Sequence, residues 1–233
     1  MKKTTLFSRL FVTLTCTFLM QAAQAAITEG KDYVVISQAQ PVETGDKVEV
    51  VEAFSFMCPH CYEFEGYLTP WVKSLPADVA VRKLPIGFNR ESWDNLAKAY
   101  YTLDAMGVES KLHSKVFDAI HAQKIDLTEP SKLADWIGKQ GVDQKKFTDT
   151  FESFGIQSKM SRGLQLARAY GIQGVPSFVV DGKYRVTASG NYQNLLRVTD
   201  EVIALARSQR PKKAAQPLPK PATNASDKKA TAN

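Results

Sequence analysis

Cys58 and Cys61 enclose Pro59 and His60, and two thiols at that spacing can exchange a pair of electrons by closing and opening a disulfide. The pair follows the apolar run 48–56 (Val-Glu-Val-Val-Glu-Ala-Phe-Ser-Phe), which reads as a buried strand. It precedes Tyr62, Phe64, Glu65, Tyr67 and Leu68, which begin a helix. A cysteine at a strand-to-helix junction has unpaired backbone N–H groups and the positive end of the helix dipole beside its sulfur. That environment favours the thiolate, the species that attacks disulfides. Cys58 is therefore expected to be the exposed nucleophile, with Cys61 one step further into the helix as its partner.

His60 stands inside the motif and can offer the Cys58 thiolate a hydrogen bond or a positive charge; the alternative is an ordinary exposed residue at a helix start. Pro59 occupies a position where a helix tolerates a missing N–H and a fixed φ. Whatever stabilises the Cys58 thiolate stabilises the reduced protein and makes the disulfide a better oxidant. The exchange rate is about 1.4 kcal/mol per pKa unit, or roughly 30 mV for a two-electron couple. A CxxC can also supply half of a zinc site, but no second pair is present, and His113 and His121 lie eight residues apart rather than at i, i+4 spacing. No metal and no organic cofactor is expected; the redox group is the Cys58–Cys61 disulfide itself.

The third cysteine, Cys16, falls in a segment with the form of an export signal: Lys2, Lys3 and Arg9, then an apolar stretch, then Ala23-Gln24-Ala25. Removal of residues 1–25 would leave only Cys58 and Cys61. Two cysteines that close so short a loop cannot act as a structural staple. The formal charge of +6 is unevenly placed. The leader carries +3 and the chain from Arg207 onward +6, which leaves −3 between Ala26 and Ala206. The folded part is thus expected to present no nucleic-acid surface. Residues 208–233, rich in Lys, Pro and Ala, have almost nothing to bury and read as a disordered tail.

Between leader and tail the hydrophobic fraction, 44% of the chain, suffices for a core without disulfides. Strands are expected at 33–36, 47–54 and 79–86, with Arg82 and Lys83 as exceptions to the alternation in the last. The helix that starts at the cysteines should run towards Leu75, kinked or interrupted by Pro70. The period then changes, and five helices are expected. They are marked by Trp93 to Met106, by Leu112 to Ile120, by Leu133 to Ile137, by Phe147, Phe151 and Phe154 behind an Asp143 cap, and by Met160 to Tyr170. Residues 177–180 and 184–186 flank Asp181-Gly182, a hairpin signal, and a last helix carries Tyr192 to Leu205. The order implies an α/β architecture, a mixed sheet covered by helices with a helical domain inserted.

Phe56-Met57-Cys58-Pro59-His60-Cys61, joined by Gly174-Val175-Pro176-Ser177-Phe178 and the long helical insertion, resembles the DsbA family of exported thiol–disulfide oxidoreductases. The resemblance covers about 30–206. It implies a thioredoxin-like domain built from 26–88 and 172–207, with an inserted helical domain at 89–171. It also implies a cis Pro176 facing the cysteines and a Val175 backbone able to bind an extended substrate. Glu52, an acid in an apolar strand, and Lys83 match positions that hold a partly buried acid–base pair in that family, which could relay the proton of Cys61; a plain salt bridge is the alternative. The implied reaction donates the Cys58–Cys61 disulfide to reduced, unfolded exported proteins through a mixed disulfide, in the periplasm. The implied protein is a monomer that a membrane reoxidase of the DsbB type recharges. The competing readings are a disulfide isomerase or reductase, and a peptide- or metal-binding module without turnover. Phe56, Met57 and Phe88 are expected to contribute to an apolar patch for the substrate.

Overall fold

The computed structural model describes residues 27–188 and 190–210; the expected leader and all but the first three residues of the expected tail lie outside them. The elements run β1 (Tyr33–Val35), β2 (Val48–Phe54), α1 (Pro59–Ser74), β3 (Val79–Pro85), α2 (Glu91–Ala105), α3 (Glu109–His121), α4 (Pro130–Lys139), α5 (Gln144–Phe151), α6 (Phe154–Ala169), β4 (Ser177–Val180), β5 (Tyr184–Val186) and α7 (Tyr192–Gln209). The strands form one sheet in the order β1-β5-β4-β2-β3. β2 and β3 are parallel, and the other pairings are antiparallel.

β2 is buried along its whole length, so both of its faces are spoken for. Val48 and Val50 pack with Phe64, Leu68 and Trp71 of α1 and with Val198 and Val202 of α7. Val51 and Ala53, on the other face, pack with Ala167 of α6 and with Tyr170. The last helix of the insertion therefore also covers the sheet. A third cluster, centred on α2 to α5, takes in Phe54, Phe56, Cys58 and Cys61, so the helical insertion shares its core with the cysteine motif.

The parallel register sets Glu52 beside Lys83, and this explains the two charges that break the alternation of β3. Arg82 turns to one face and pairs with Glu49 at 3.3 Å, whereas Lys83 turns to the other and pairs with Glu52 at 2.7 Å. Each basic side chain compensates an acid that β2 buries completely or nearly so.

Four expectations are corrected. α1 passes through Pro70 without interruption, held on both sides of it by the buried Leu68 and Trp71. Phe154 does not close the helix of Phe147 and Phe151: Ser153 accepts from the Ile156 N–H and starts α6, leaving Phe154 86% exposed. Phe56 is buried, against Phe117 and His113, and belongs to no surface patch. Ser208 and Gln209 continue α7, and Arg210 binds Asp181 and the Lys47 carbonyl, so the chain is tied down three residues further than its composition suggests. The Asp143 cap and the hairpin turn stand where expected. Asp143 accepts from the Lys146 N–H, and Asp181 and Gly182 both take left-handed φ, 55° and 62°. A Cβ on Gly182 would lie 2.1 Å from the Gln40 carbonyl oxygen, so only glycine fits that turn.

Candidate active site

The site is assembled from five separate stretches of chain. Cys58 is the N-cap residue of α1 with extended backbone (φ −86°, ψ 116°), and Pro59 is the first helical residue. Pro59 there removes a donor that the first turn could not use, and it sets φ for the helix. The two cysteines are free thiols. The sulfur of Cys58 lies 3.5 Å from the carbonyl oxygen of Val175, and the Val175–Pro176 bond is cis. The loop before β4, 117 residues downstream, thus closes over the motif.

Both thiols are less accessible than expected: Cys58 is 6% exposed and Cys61 2%. Cys58 is not an open surface group, because the Val175 carbonyl lies on its sulfur and the residue packs into the core of the insertion. The order of access is still the expected one.

The electrostatics separate the pair. The Cys58 thiol is pulled down to about 6 by the hydrogen bond the Cys61 thiol donates to its sulfur. The backbone N–H groups of Cys61 and His60 and the charge of His60 assist, and together they outweigh burial. Cys61 is pushed far the other way by burial and by its bond to Cys58. One sulfur is therefore a thiolate at neutral pH and the other a thiol. The His60 ring makes no bond to the sulfur. Its Nδ1 lies 3.4 Å from the Tyr192 hydroxyl and 3.7 Å from Glu63 Oε2, and the same hydroxyl donates to Glu63 at 3.0 Å.

Beneath the cysteines, Glu52 is 1% exposed and its Oε2 accepts from Lys83 Nζ at 2.7 Å. Burial holds the Glu52 carboxyl above the usual range despite Lys83, and the charge of Glu52 bears on Cys61. The expected pair is thus brought together, but it is part of a longer series. Lys83 also donates to Glu65 Oε1 at 3.1 Å, the same oxygen lies 3.1 Å from His113 Nε2, and His113 Nδ1 lies 2.6 Å from Glu109. Burial opposes the charge of Glu65, yet the His113 bond and Lys83 hold its carboxyl down at about 2. Glu65, His113, Glu109 and Tyr192 carry no signal in the cysteine motif. The one trace of them in the sequence is a Glu and a His four apart, Glu109 and His113, on the helix whose apolar stripe includes Leu112, Val116 and Phe117.

Residues 49–198 match the family described as the DSBA-like thioredoxin domain. The chain is similar to the thiol:disulfide interchange protein DsbA of Pseudomonas aeruginosa, with 41% identity over 193 residues, 82% of this chain and 91% of that one. It is similar also to DsbA of Bordetella pertussis, with 36% identity over 209 residues, 88% and 99% of the two chains. Among solved structures, Pseudomonas aeruginosa DsbA superposes with a TM-score of 0.74 at 41% identity, covering 78% of this chain and 95% of that one. Reduced DsbA1 of Neisseria meningitidis does so with 0.69 at 30%, covering 79% and 97%.

Proposed function

Because the chain belongs to the DSBA-like thioredoxin-domain family and is a thiol–disulfide oxidoreductase, we propose that Cys58 is the sulfur that exchanges with substrate and that the cis-Pro loop is where substrate binds. The observation that carries this is the split between the two sulfurs, Cys58 lowered to about 6 and Cys61 raised. A substrate thiolate attacks Cys58 of the oxidised protein; the Cys58–Cys61 bond breaks, and Cys61 leaves with the electron pair and takes a proton. A second substrate thiolate then attacks the substrate sulfur of the mixed disulfide. Cys58 leaves as a thiolate, the substrate gains a disulfide, and two electrons stay on the protein.

Pro176, with no N–H, leaves room beside the sulfurs, and the backbone of Val175 pairs with an extended peptide. Backbone pairing carries little sequence preference, so the substrates are reduced, unfolded proteins newly exported to the periplasm. The chain works as a monomer, and its electrons pass to a membrane reoxidase of the DsbB type. His60 supports the thiolate through its charge and its backbone N–H. The deciding experiment is the equilibrium of Cys58–Cys61 with glutathione, run beside catalysed oxidation of a reduced test protein. A disulfide readily reduced by glutathione, with turnover, is expected; a disulfide that resists glutathione would make the protein a reductase.

Glu52 and Lys83 exchange the proton of Cys61, and the support is the buried carboxyl whose charge bears on that thiol. Glu52→Gln is expected to slow the steps in which Cys61 leaves or attacks by about 10²-fold, with the fold retained. Rates identical to wild type from pH 4 to 8 would remove the relay.

A further inference from the structure

The relay pair does not end at Lys83. Five side chains from four elements follow one another in alternating sign: Glu52 of β2, Lys83 of β3, Glu65 of α1, then His113 and Glu109 of α3. His113 is 7% exposed and is walled by Phe54, Phe56 and Phe117, with ring centroids 5.2, 5.1 and 5.2 Å away. Its two ring nitrogens each face a carboxylate. A neutral imidazole has one donor and one acceptor, so only the imidazolium suits both neighbours. The Glu65 contact is a hydrogen bond, whereas the Glu109 contact, though closer, is an ion pair off the hydrogen-bond line.

We propose that His113 is a positioning residue for the proton exchanged at Cys61, its positive charge holding Glu65 and so leaving Lys83 free to keep Glu52 ionised. The proposal rests on the relay reading of Glu52 and Lys83. Glu65 Oε1 is shared by Lys83 and His113, both at 3.1 Å. With His113 charged, that oxygen has two cations and Lys83 remains committed to Glu52 at 2.7 Å. With His113 neutral, Glu65 has Lys83 alone, the cluster is one charge more negative, and Glu52 holds its proton to higher pH. The groups facing His113 are Glu109 on its own helix, Glu65 on α1, Lys83 on β3, Glu52 on β2 and the Tyr100 ring on α2, 6.3 Å away. Burial opposes charge on His113, yet Glu109 and Glu65 outweigh it and raise its proton affinity. The inserted helices thereby reach the proton site of the sheet, which neither β2 nor β3 could supply with a second cation from this side.

The step to measure is the attack of Cys61 on a Cys58–glutathione mixed disulfide, which releases glutathione and costs Cys61 its proton. Its rate is followed by stopped-flow fluorescence between pH 4 and 8. In His113→Gln the pH midpoint of this step is expected to rise by about one unit, while the Cys58 thiolate, titrated by its ultraviolet absorbance, keeps its midpoint. A loss of packing alone would not move one midpoint and spare the other. In Glu52→Gln the midpoint should vanish, and adding His113→Gln should change nothing further. An unmoved profile in folded His113→Gln, with Glu52→Gln altered, overturns the role of His113 alone. An unmoved profile in Glu52→Gln overturns the relay and this proposal with it. Should His113→Gln fail to fold, the wild-type protein decides it through its His113 ring resonances, which are expected to be those of the imidazolium from pH 5 to 8. Ring resonances of His113 in the wild-type protein that show a neutral imidazole from pH 5 to 8 would also overturn it.

Discussion

Serine in place of Cys58 is expected to abolish disulfide donation, a loss on the order of 10³-fold or more in catalysed oxidation of a reduced protein, whereas serine in place of Cys61 should trap the reaction half-way. Of the two sulfurs only that of Cys58 has a lowered proton affinity, and its residue is the more exposed, so among the described residues Cys61 cannot take over the exchange. Without Cys61 the Cys58 thiolate still attacks a disulfide, but nothing in the protein displaces the adduct. Cys61→Ser should accumulate mixed disulfides that survive electrophoresis without reductant and disappear with it. It should also raise the Cys58 midpoint above about 6, because the hydrogen bond from Cys61 is the largest cause of the lowering; serine donates in its place only in part. Retained turnover in Cys58→Ser, or an adduct-free Cys61→Ser, would assign the nucleophile wrongly.

The second large effect is on stability. Cys58 titrates at about 6 in the folded, reduced protein and at roughly 8.5 in an unfolded chain. A group whose folded value is depressed contributes stability in full above the unfolded value and loses it as pH falls through the folded one. Between pH 6 and 8.5 each unit of rise should therefore add about 1.4 kcal/mol to the reduced protein relative to Cys58→Ser. Below pH 6 the difference is flat. Cys61 works in the opposite sense above pH 8.5, since its raised thiol stays protonated in the fold while the unfolded one ionises, so the window closes there. Urea unfolding of reduced wild type and Cys58→Ser from pH 5 to 8.5 measures the slope. Parallel curves would mean that Cys58 is an ordinary thiol, and the drive to donate the disulfide would go with it. The same stabilised thiolate underlies both results, since opening the disulfide releases what the fold holds best.

The local order of the chain was legible because it depends on neighbours in sequence. The cysteine pair at a strand-to-helix junction, the Asp143 cap and the Asp181-Gly182 turn all work through groups a few residues apart. The expectation that failed at Phe154 did so for a local reason too: Ser153 offered a cap that restarts a helix, and the apolar spacing of Phe147, Phe151 and Phe154 concealed it. Arg82 and Lys83 looked like blemishes in a strand, and only the register of β2 against β3 shows that each answers a buried acid on opposite faces.

Residue type and short-range backbone geometry suffice for the chemistry: two thiols able to cycle, a helix end that favours charge on the first, and an acid in an apolar strand. Long-range packing sets how deeply Cys58 is buried, that Val175 sits on its sulfur, that His60 turns to Tyr192, and that His113 from the inserted helices joins Glu65 and Lys83. Those contacts join residues 18 to 132 positions apart. Their partners are chosen by packing of whole helices against the sheet, which no local pattern of residues encodes.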